Sequence, residues 1–107
     1  KTNDLIGELN INNVQRGVLQ SCSIGYWIAK DRIGLGFMSE SILIIKNFIF
    51  NELDLHRIEA ACLESNVPSL NVLKKNNFYF EGTARKYLKI NGKWQDHLIF
   101  SCLDAED

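Results

Sequence analysis

The chain has 107 residues, enough for one domain with a real core. Hydrophobic residues make up 46% and charged residues 23%, a soluble globular profile that excludes a disordered or fibrous chain. Its 12 basic and 13 acidic residues leave a net charge of −1, which argues against a dedicated nucleic-acid binder.

Leu5 to Asn12 alternates apolar and polar residues, the pattern of a half-buried strand. Asn12-Asn13 and Arg16-Gly17 are turn signals, so a hairpin leads into a second strand, Ser21–Ile28. That strand begins the stretch Ser23-Ile-Gly-Tyr-Trp-Ile-Ala-Lys-Asp-Arg-Ile-Gly-Leu-Gly-Phe-Met-Ser-Glu40, in which a short loop with two glycines opens directly into a helix, Phe37 to Leu53. The helix is apolar on more than one face, as expected where it packs on a sheet and is further covered. Its run Ile42-Leu-Ile-Ile45 is broken by Lys46 and Asn47, so it is a core helix and not a membrane span. Leu55-His-Arg-Ile-Glu-Ala-Ala-Cys-Leu63 reads as a buried strand, parallel to Ser21–Ile28 through the crossover helix, with its centre near Arg57–Leu63. Asn66-Val-Pro-Ser69 then starts a second helix, Pro68 to Asn76, with proline at or near its first position. Phe78–Leu88 and Lys93–Leu103 flank Asn91-Gly92, a strong hairpin signal. The order is β-β-α-β-α-β-β, a single α/β domain over 1–107 with a mixed sheet, and the acidic tail Asp104 to Asp107 is expected to fray.

The glycine loop carries the chemistry. The first N–H groups of a helix lack intrahelical partners, and the helix dipole puts partial positive charge there. Gly34 and Gly36 allow positive φ and close approach of an anion, so the loop suits a phosphate, and a pyrophosphate better than a lone one. An ordinary strand-to-helix turn has the same sequence. No Lys-Ser or Lys-Thr follows Gly36, which excludes a Walker P-loop, and the third glycine and distal acid of a dinucleotide fingerprint are missing. Cys22, Cys62 and Cys102 are far apart and odd in number, with no metal-ligand spacing, so they read as free, mostly buried thiols of a reducing, cytoplasmic compartment, and no metal is expected.

The glycine loop is followed by the strand, the N-x-x-S helix start at Asn66, the helix end Asn77-Phe78, and the pair Glu81-Gly-Thr-Ala-Arg-Lys-Tyr-Leu88 and Ile90-Asn-Gly-Lys-Trp-Gln-Asp-His-Leu98. In this order and spacing, and with Ile6-Gly7 and Asn13-Val14-Gln15-Arg16-Gly17 upstream, the chain resembles the GNAT acetyltransferases of the RimJ/RimL type, which acetylate ribosomal-protein N-termini. The resemblance runs from about residue 5 to 103. It departs from the family pattern at Asp31, where many members carry Arg or Gln, and at Asn77, where glycine is usual. Asparagine is the residue after glycine that best tolerates the left-handed conformation of a helix end.

The resemblance implies acetyl-coenzyme A as co-substrate and a primary amine as acceptor, a protein N-terminal alanine or serine. A polyamine or antibiotic amine, or a non-catalytic coenzyme-A-binding module, are the alternatives. It places the pyrophosphate on the amides of Arg32, Ile33, Gly34, Leu35, Gly36, Phe37 and Met38, and the pantetheine arm along Tyr26, Trp27 and Ile28. Tyr26 and Trp27 must point to opposite faces, one to the core and one to the acceptor pocket. Asn66 would bond the pantetheine or cap its helix. The tyrosine that many members use on this helix corresponds to Leu73, and in the RimL-like subgroup Ser69 takes its place, protonating the leaving thiolate; simple capping is the other reading of Ser69. The family's carboxylate on the later strand falls near Leu88, so no general base carries over, and Glu8, His56, Asp96 and His97 are open by chemistry. Lys74, Lys75, Lys86, Lys89 and Lys93 read as a solvated surface, one or two of them within reach of the 3′-phosphate. The resemblance also implies an N-terminal β-α-α-β that this chain lacks. An uncovered apolar face and an unpaired edge at Leu5–Asn12 are the expected result, with self-association, such as a homodimer, following from them.

Overall fold

Period-two alternation makes strands of five segments and sends their apolar residues to one side. The computed structural model describes residues 7–29, 31, 33–34 and 36–104, without the side chain of Ile28. In chain order the elements are β1 (Gly7–Gln15), β2 (Ser21–Ile28), α1 (Phe37–Asn51), β3 (Arg57–Cys62), α2 (Val67–Lys75), β4 (Tyr79–Ile90) and β5 (Lys93–Leu103). The strands form one sheet in the order β1-β2-β3-β5-β4. β2 and β3 are parallel and all other neighbours antiparallel, which is the mixed sheet read from the sequence.

Element ends follow local chemistry. The turn expected at Asn12-Asn13 is instead an irregularity within β1: Asn13 adopts φ 52°, and the register with β2 shifts between Asn12 and Gln15. Asparagine tolerates that conformation, so the strand continues through a bulge. The chain reverses at Gly17, φ 76°, whose carbonyl accepts from Gln20 Nε2 at 2.8 Å. At the end of α2, Asn77 takes φ 63°; its N–H bonds the Lys74 carbonyl at 3.1 Å, and that of Phe78 bonds Leu73 at 3.0 Å. This is a Schellman end with asparagine in the glycine position. Asn91 and Gly92, at φ 53° and 79°, close the β4–β5 hairpin in the left-handed conformation that such two-residue turns demand. At the C-terminus, the Asp104 N–H is tied to the His56 carbonyl at 2.8 Å, so the fraying expected from residue 104 onward does not begin there. Residues 105–107 lie outside the described residues.

Both helices pack on one face of the sheet. Met38, Ile42 and Ile49 of α1 and Leu73 of α2 share a buried cluster with Cys22, Ile24, Ile58, Ala60, Cys62, Phe100 and Cys102. The three cysteines are free and buried, as their spacing suggested. Asn76, at the end of α2, locks the helices together. Its Nδ2 donates to the carbonyl and hydroxyl of Ser39 and to the Val72 carbonyl, while its own carbonyl accepts from Lys46 Nζ at 2.7 Å. Asn76 is 6% exposed, so losing this network would leave buried polar groups unpaired, a cost of about 1–3 kcal/mol.

β1 is an edge strand, as expected. On its outward face the exposed Glu8, Asn10 and Asn12 stand beside Ser23 and Glu59, with Trp27 and Ala61 among them. Exposed large apolar residues lie on α1 at Phe37, Leu43, Ile44 and Phe48, near the first turn at Val14, Val18 and Leu19, and on the outer strands at Tyr79, Phe80, Tyr87, Leu88 and Trp94. Leu9 and Ile11 of β1 turn inward and pack against the core.

A polar cluster stitches β3 to the outer strands. Arg57 donates to Glu59 at 2.9 Å and to Glu81 at 3.2 Å, and the buried Ser101 hydroxyl donates to the same Glu81 oxygen. The Ser101 bond, then Arg57, holds the Glu81 carboxyl below its usual range. A depressed carboxylate pKa stabilises the fold above the unfolded-state value, and the contribution is lost as pH falls through the folded value. Glu81→Gln should therefore lower the melting temperature most near neutral pH. The gap to wild type should close as pH drops through the carboxylate range, which thermal melts across pH 2–7 check.

Candidate functional site

The site begins where two parallel strands part. β2 pairs with β3 only from Ser21–Arg57 to Ile24–Ala60. Beyond that, β2 continues to Ile28 against β1 alone, and β3 continues to Cys62 against β5 alone. The gap opens into a cleft of about 280 Å³. β2 contributes Tyr26 and Trp27 to its wall, the glycine loop Ile33, Gly34 and Gly36, and α1 Met38 and Ser39. α2 contributes Asn66, Pro68, Ser69, Asn71, Val72 and Lys75.

Two helices start at this cleft with different caps. Gly34 and Gly36 adopt φ 88° and 86°, the conformation for which glycine is suited. Gly36 is the N-cap of α1 and supplies no side-chain cap, while its carbonyl already accepts the Glu40 N–H at 3.0 Å. The amides of Phe37, Met38 and Ser39 thus have no intrahelical acceptor, at the positive end of a 15-residue helix. Lys75, from the last turn of α2, adds a cation to the same cleft. At α2 the N-terminus is closed: Asn66 Oδ1 accepts the Ser69 N–H at 3.2 Å. Asn66 is therefore the cap, and the Ser69 hydroxyl is spared for other bonds.

That hydroxyl bridges the gap. Ser69 Oγ donates to the Tyr26 hydroxyl at 2.8 Å, and the Tyr26 hydroxyl donates to the Ser69 carbonyl at 3.1 Å. Burial pushes the Tyr26 pKa up to about 12, against the opposing effect of the Ser69 bond. Burial likewise raises the Cys62 thiol above its ordinary value, again opposed by Ser69. The cluster thus keeps its protons: Tyr26 stays a phenol and Cys62 a thiol.

The structure brings Tyr26, Trp27, Ile33, Gly34, Gly36, Met38, Asn66 and Ser69 into one cleft. Phe37 is exposed on the surface, and only its amide faces the problem just described. Arg32 and Leu35 lie outside the described residues, and Ile28 is described only as a strand residue paired with Gly7. Of the sequence-read pair, Tyr26 packs toward the core, yet both Tyr26 and Trp27 line the cleft. Leu73 is fully buried and cannot reach a ligand. Asp96 and His97 do not line the cleft and have structural partners, the Lys86 N–H at 2.8 Å and the Gln95 carbonyl at 3.0 Å. His56 sits at the opposite end of β3. Glu8 does not line the cleft itself but accepts from Trp27, which does. Ser39, Asn71 and Val72 escaped the sequence reading. The i, i+3, i+4, i+7 stripe from Pro68 through Asn71 and Val72 to Lys75 was the available signal.

Comparison with known proteins bears on this geometry. The acetyltransferase (GNAT) domain family matches residues 1–79. The chain is 43% identical over 103 residues to a probable N-acetyltransferase, YjcK, of Bacillus subtilis, covering 96% of this chain and 57% of that protein. It is 34% identical over 96 residues to the ribosomal protein uS5-alanine N-acetyltransferase of Escherichia coli, covering 90% of this chain and 50% of that one. The structure of Mycobacterium smegmatis RimJ in complex with CoA-disulfide superposes with a TM-score of 0.90 at 37% identity, over 95% of this chain and 49% of that one. The chain thus spans about half the length of the relatives it matches.

The Tyr26–Ser69 bridge has a measurable strength. Tyr26→Phe removes both hydroxyl bonds and should lower stability by about 1–2 kcal/mol, read as a drop in melting temperature. A melting temperature equal to wild type would mean that the bridge contributes nothing to holding the cleft.

Proposed function

The chain belongs to the GNAT acetyltransferase family, and from that premise we propose that it transfers the acetyl group of acetyl-coenzyme A to a primary amine, the α-amino group of a protein N-terminus. The observation that carries this reading is the uncapped N-terminus of α1, preceded by two glycines at positive φ, facing a split between parallel strands. Such a site suits a pyrophosphate at the helix end and an extended arm in the split. The RimJ neighbour, whose structure contains CoA-disulfide, supports the ligand. The Escherichia coli relative, named for a ribosomal-protein alanine, supports the acceptor.

In this reading the amides of Phe37, Met38 and Ser39 bind the pyrophosphate, and Lys75 adds charge. Asn66 keeps the α2 start in place. The neutral amine nitrogen bonds the acetyl carbon, the carbon–sulfur bond breaks, and the one proton that the nitrogen sheds balances the one that the departing thiolate takes up. Ser69 donates to that thiolate in this reading, its hydroxyl turning away from Tyr26 to do so. Tyr26, with its pKa near 12, holds Ser69 and keeps its own proton. Cys62 is buried with its thiol pKa raised, so it is no nucleophile, and transfer is direct without an acyl-enzyme. An α-amino group has a pKa of about 7.7–8.0, so a sizeable neutral fraction is ready to attack at neutral pH.

Gly36→Glu places a side chain at φ 86° and a carboxylate where phosphate would sit. Calorimetry should show coenzyme A binding abolished. Lys75→Ala, which leaves the loop backbone alone, should weaken binding severalfold. Wild-type affinity in both variants would remove the site assignment.

Ser69→Ala should lower kcat by about tenfold or more, the low end of acid–base contributions, with coenzyme affinity little changed. Because Asn66 does the capping, the melting temperature should fall only by the value of the lost Tyr26 bond. A kcat equal to wild type would assign Ser69 a purely structural part.

A further inference from the structure

The polar clamp at the end of α2 reaches the cleft without lining it. Asn76 is 6% exposed and does not line the cleft, but Ser39 and Val72, to which it bonds, both do. Its carboxamide has one possible orientation. The Val72 and Ser39 carbonyls, at 3.1 and 3.3 Å, can only accept, so the amide nitrogen must face them. The same nitrogen lies 3.1 Å from Ser39 Oγ, which therefore receives a hydrogen from Asn76.

A hydroxyl that accepts on one side still has its own proton to give. Ser41, two residues on, spends that proton on the Phe37 carbonyl at 2.9 Å. Ser39 has no such acceptor among the described residues. It is the third residue of α1, on the cleft, beside the amides that lack intrahelical acceptors. A phosphate oxygen arriving there is the acceptor that both kinds of donor lack, and its charge strengthens each bond.

α1 meets Asn76 a second time. Lys46, about two helical turns beyond Ser39 on the same face, donates to the Asn76 backbone carbonyl at 2.7 Å, with its ammonium 5.7 Å from the centroid of the Phe78 ring. The two contacts do different things. Lys46 ties the middle of α1 to the chain leaving α2, and the Asn76 side chain ties down the first turn of α1.

We infer that Asn76 is a positioning residue for coenzyme A: by donating to Ser39 Oγ it turns the Ser39 hydroxyl into a donor toward the pyrophosphate, and it fixes the turn of α1 that carries the phosphate-binding amides. The inference rests on the acetyl-coenzyme A reading and adds to it a residue that never touches the ligand. It also separates the two ends of the coenzyme. The pyrophosphate end depends on Asn76, and the pantetheine end, in the strand gap, does not.

Asn76→Leu fills the same space and removes the donors. Calorimetry should show coenzyme A bound about tenfold more weakly, the effect of one charge-assisted hydrogen bond. In thiol-release assays the KM for acetyl-coenzyme A should rise by a similar factor with kcat unchanged. The KM for acetyl-pantetheine, which has no pyrophosphate, should stay at its wild-type value. Lys46→Met loosens the same helix junction without touching Ser39, so it should lower the melting temperature and leave coenzyme affinity alone. Ser39→Ala should reproduce the loss of affinity, and Asn76→Leu added to it should weaken binding little further. Ser39→Ala leaves the two carbonyl bonds of Asn76 in place, so it decides the matter if Asn76→Leu fails to fold. Wild-type coenzyme A affinity in folded Asn76→Leu or in Ser39→Ala would overturn the inference while leaving the coenzyme site standing. So would an equal loss in Lys46→Met, or an equal rise in the KM for acetyl-pantetheine. A wild-type chain that binds no coenzyme A would overturn the acetyl-coenzyme A reading and this inference with it.

Discussion

The parallel ladder between β2 and β3 stops after Ile24 and Ala60, and the whole site depends on that stop. At the other end the two strands are pinned: the Gln20 carbonyl accepts from the amides of both His56 and Arg57, at 2.8 and 3.2 Å. Strands tied at one end and free at the other must diverge, because β2 keeps its antiparallel partner β1 and β3 keeps β5. The gap needs support, since strand edges carry unpaired backbone groups. Two side-chain devices provide it. The Tyr26–Ser69 bonds span from β2 to the first turn of α2. Asn76 fixes the far end of α2 to Ser39, beside the first turn of α1. The glycine loop is thereby held at a set distance from the start of α2.

Much of the fold was legible in the sequence because its signals are local. Asn91-Gly92 dictates a two-residue turn, Asn66 and Pro68 start a helix, and Asn77 ends it; each depends on a few consecutive residues. Gly34 and Gly36 are legible for the same reason. Asn12-Asn13 was misleading: the left-handed tolerance that makes asparagine a turn residue also permits a bulge, and only the partner strand decides between them. The roles within the site were less legible. Ser69 is bonded to a residue 43 positions away, and no periodicity encodes that meeting.

The cleft resolves a tension in the composition. A net charge of −1 offers no general attraction to a polyanionic cofactor. In the proposed site the attraction is local, from the oriented amides at the start of α1 with Lys75 beside them, and these cost the chain little net charge.

The helices show the final step most plainly. α1 and α2 face the same problem, a first turn of amides without acceptors. At α2 the chain solves it with Asn66, whose carboxamide closes the turn. At α1 the N-cap is Gly36, which has no side chain with which to do so, although capping residues stabilise a helix by about 1 kcal/mol. The loop sequence therefore gives up local stability at one helix and not at the other. The helix left open is the longer one, with Met38, Ile42 and Ile49 buried, so tertiary packing keeps it folded without a cap. The shorter helix, with Leu73 as its only fully buried residue, cannot forgo its own cap. Which helix end is free for a ligand is thus set by which helix the core can hold unaided.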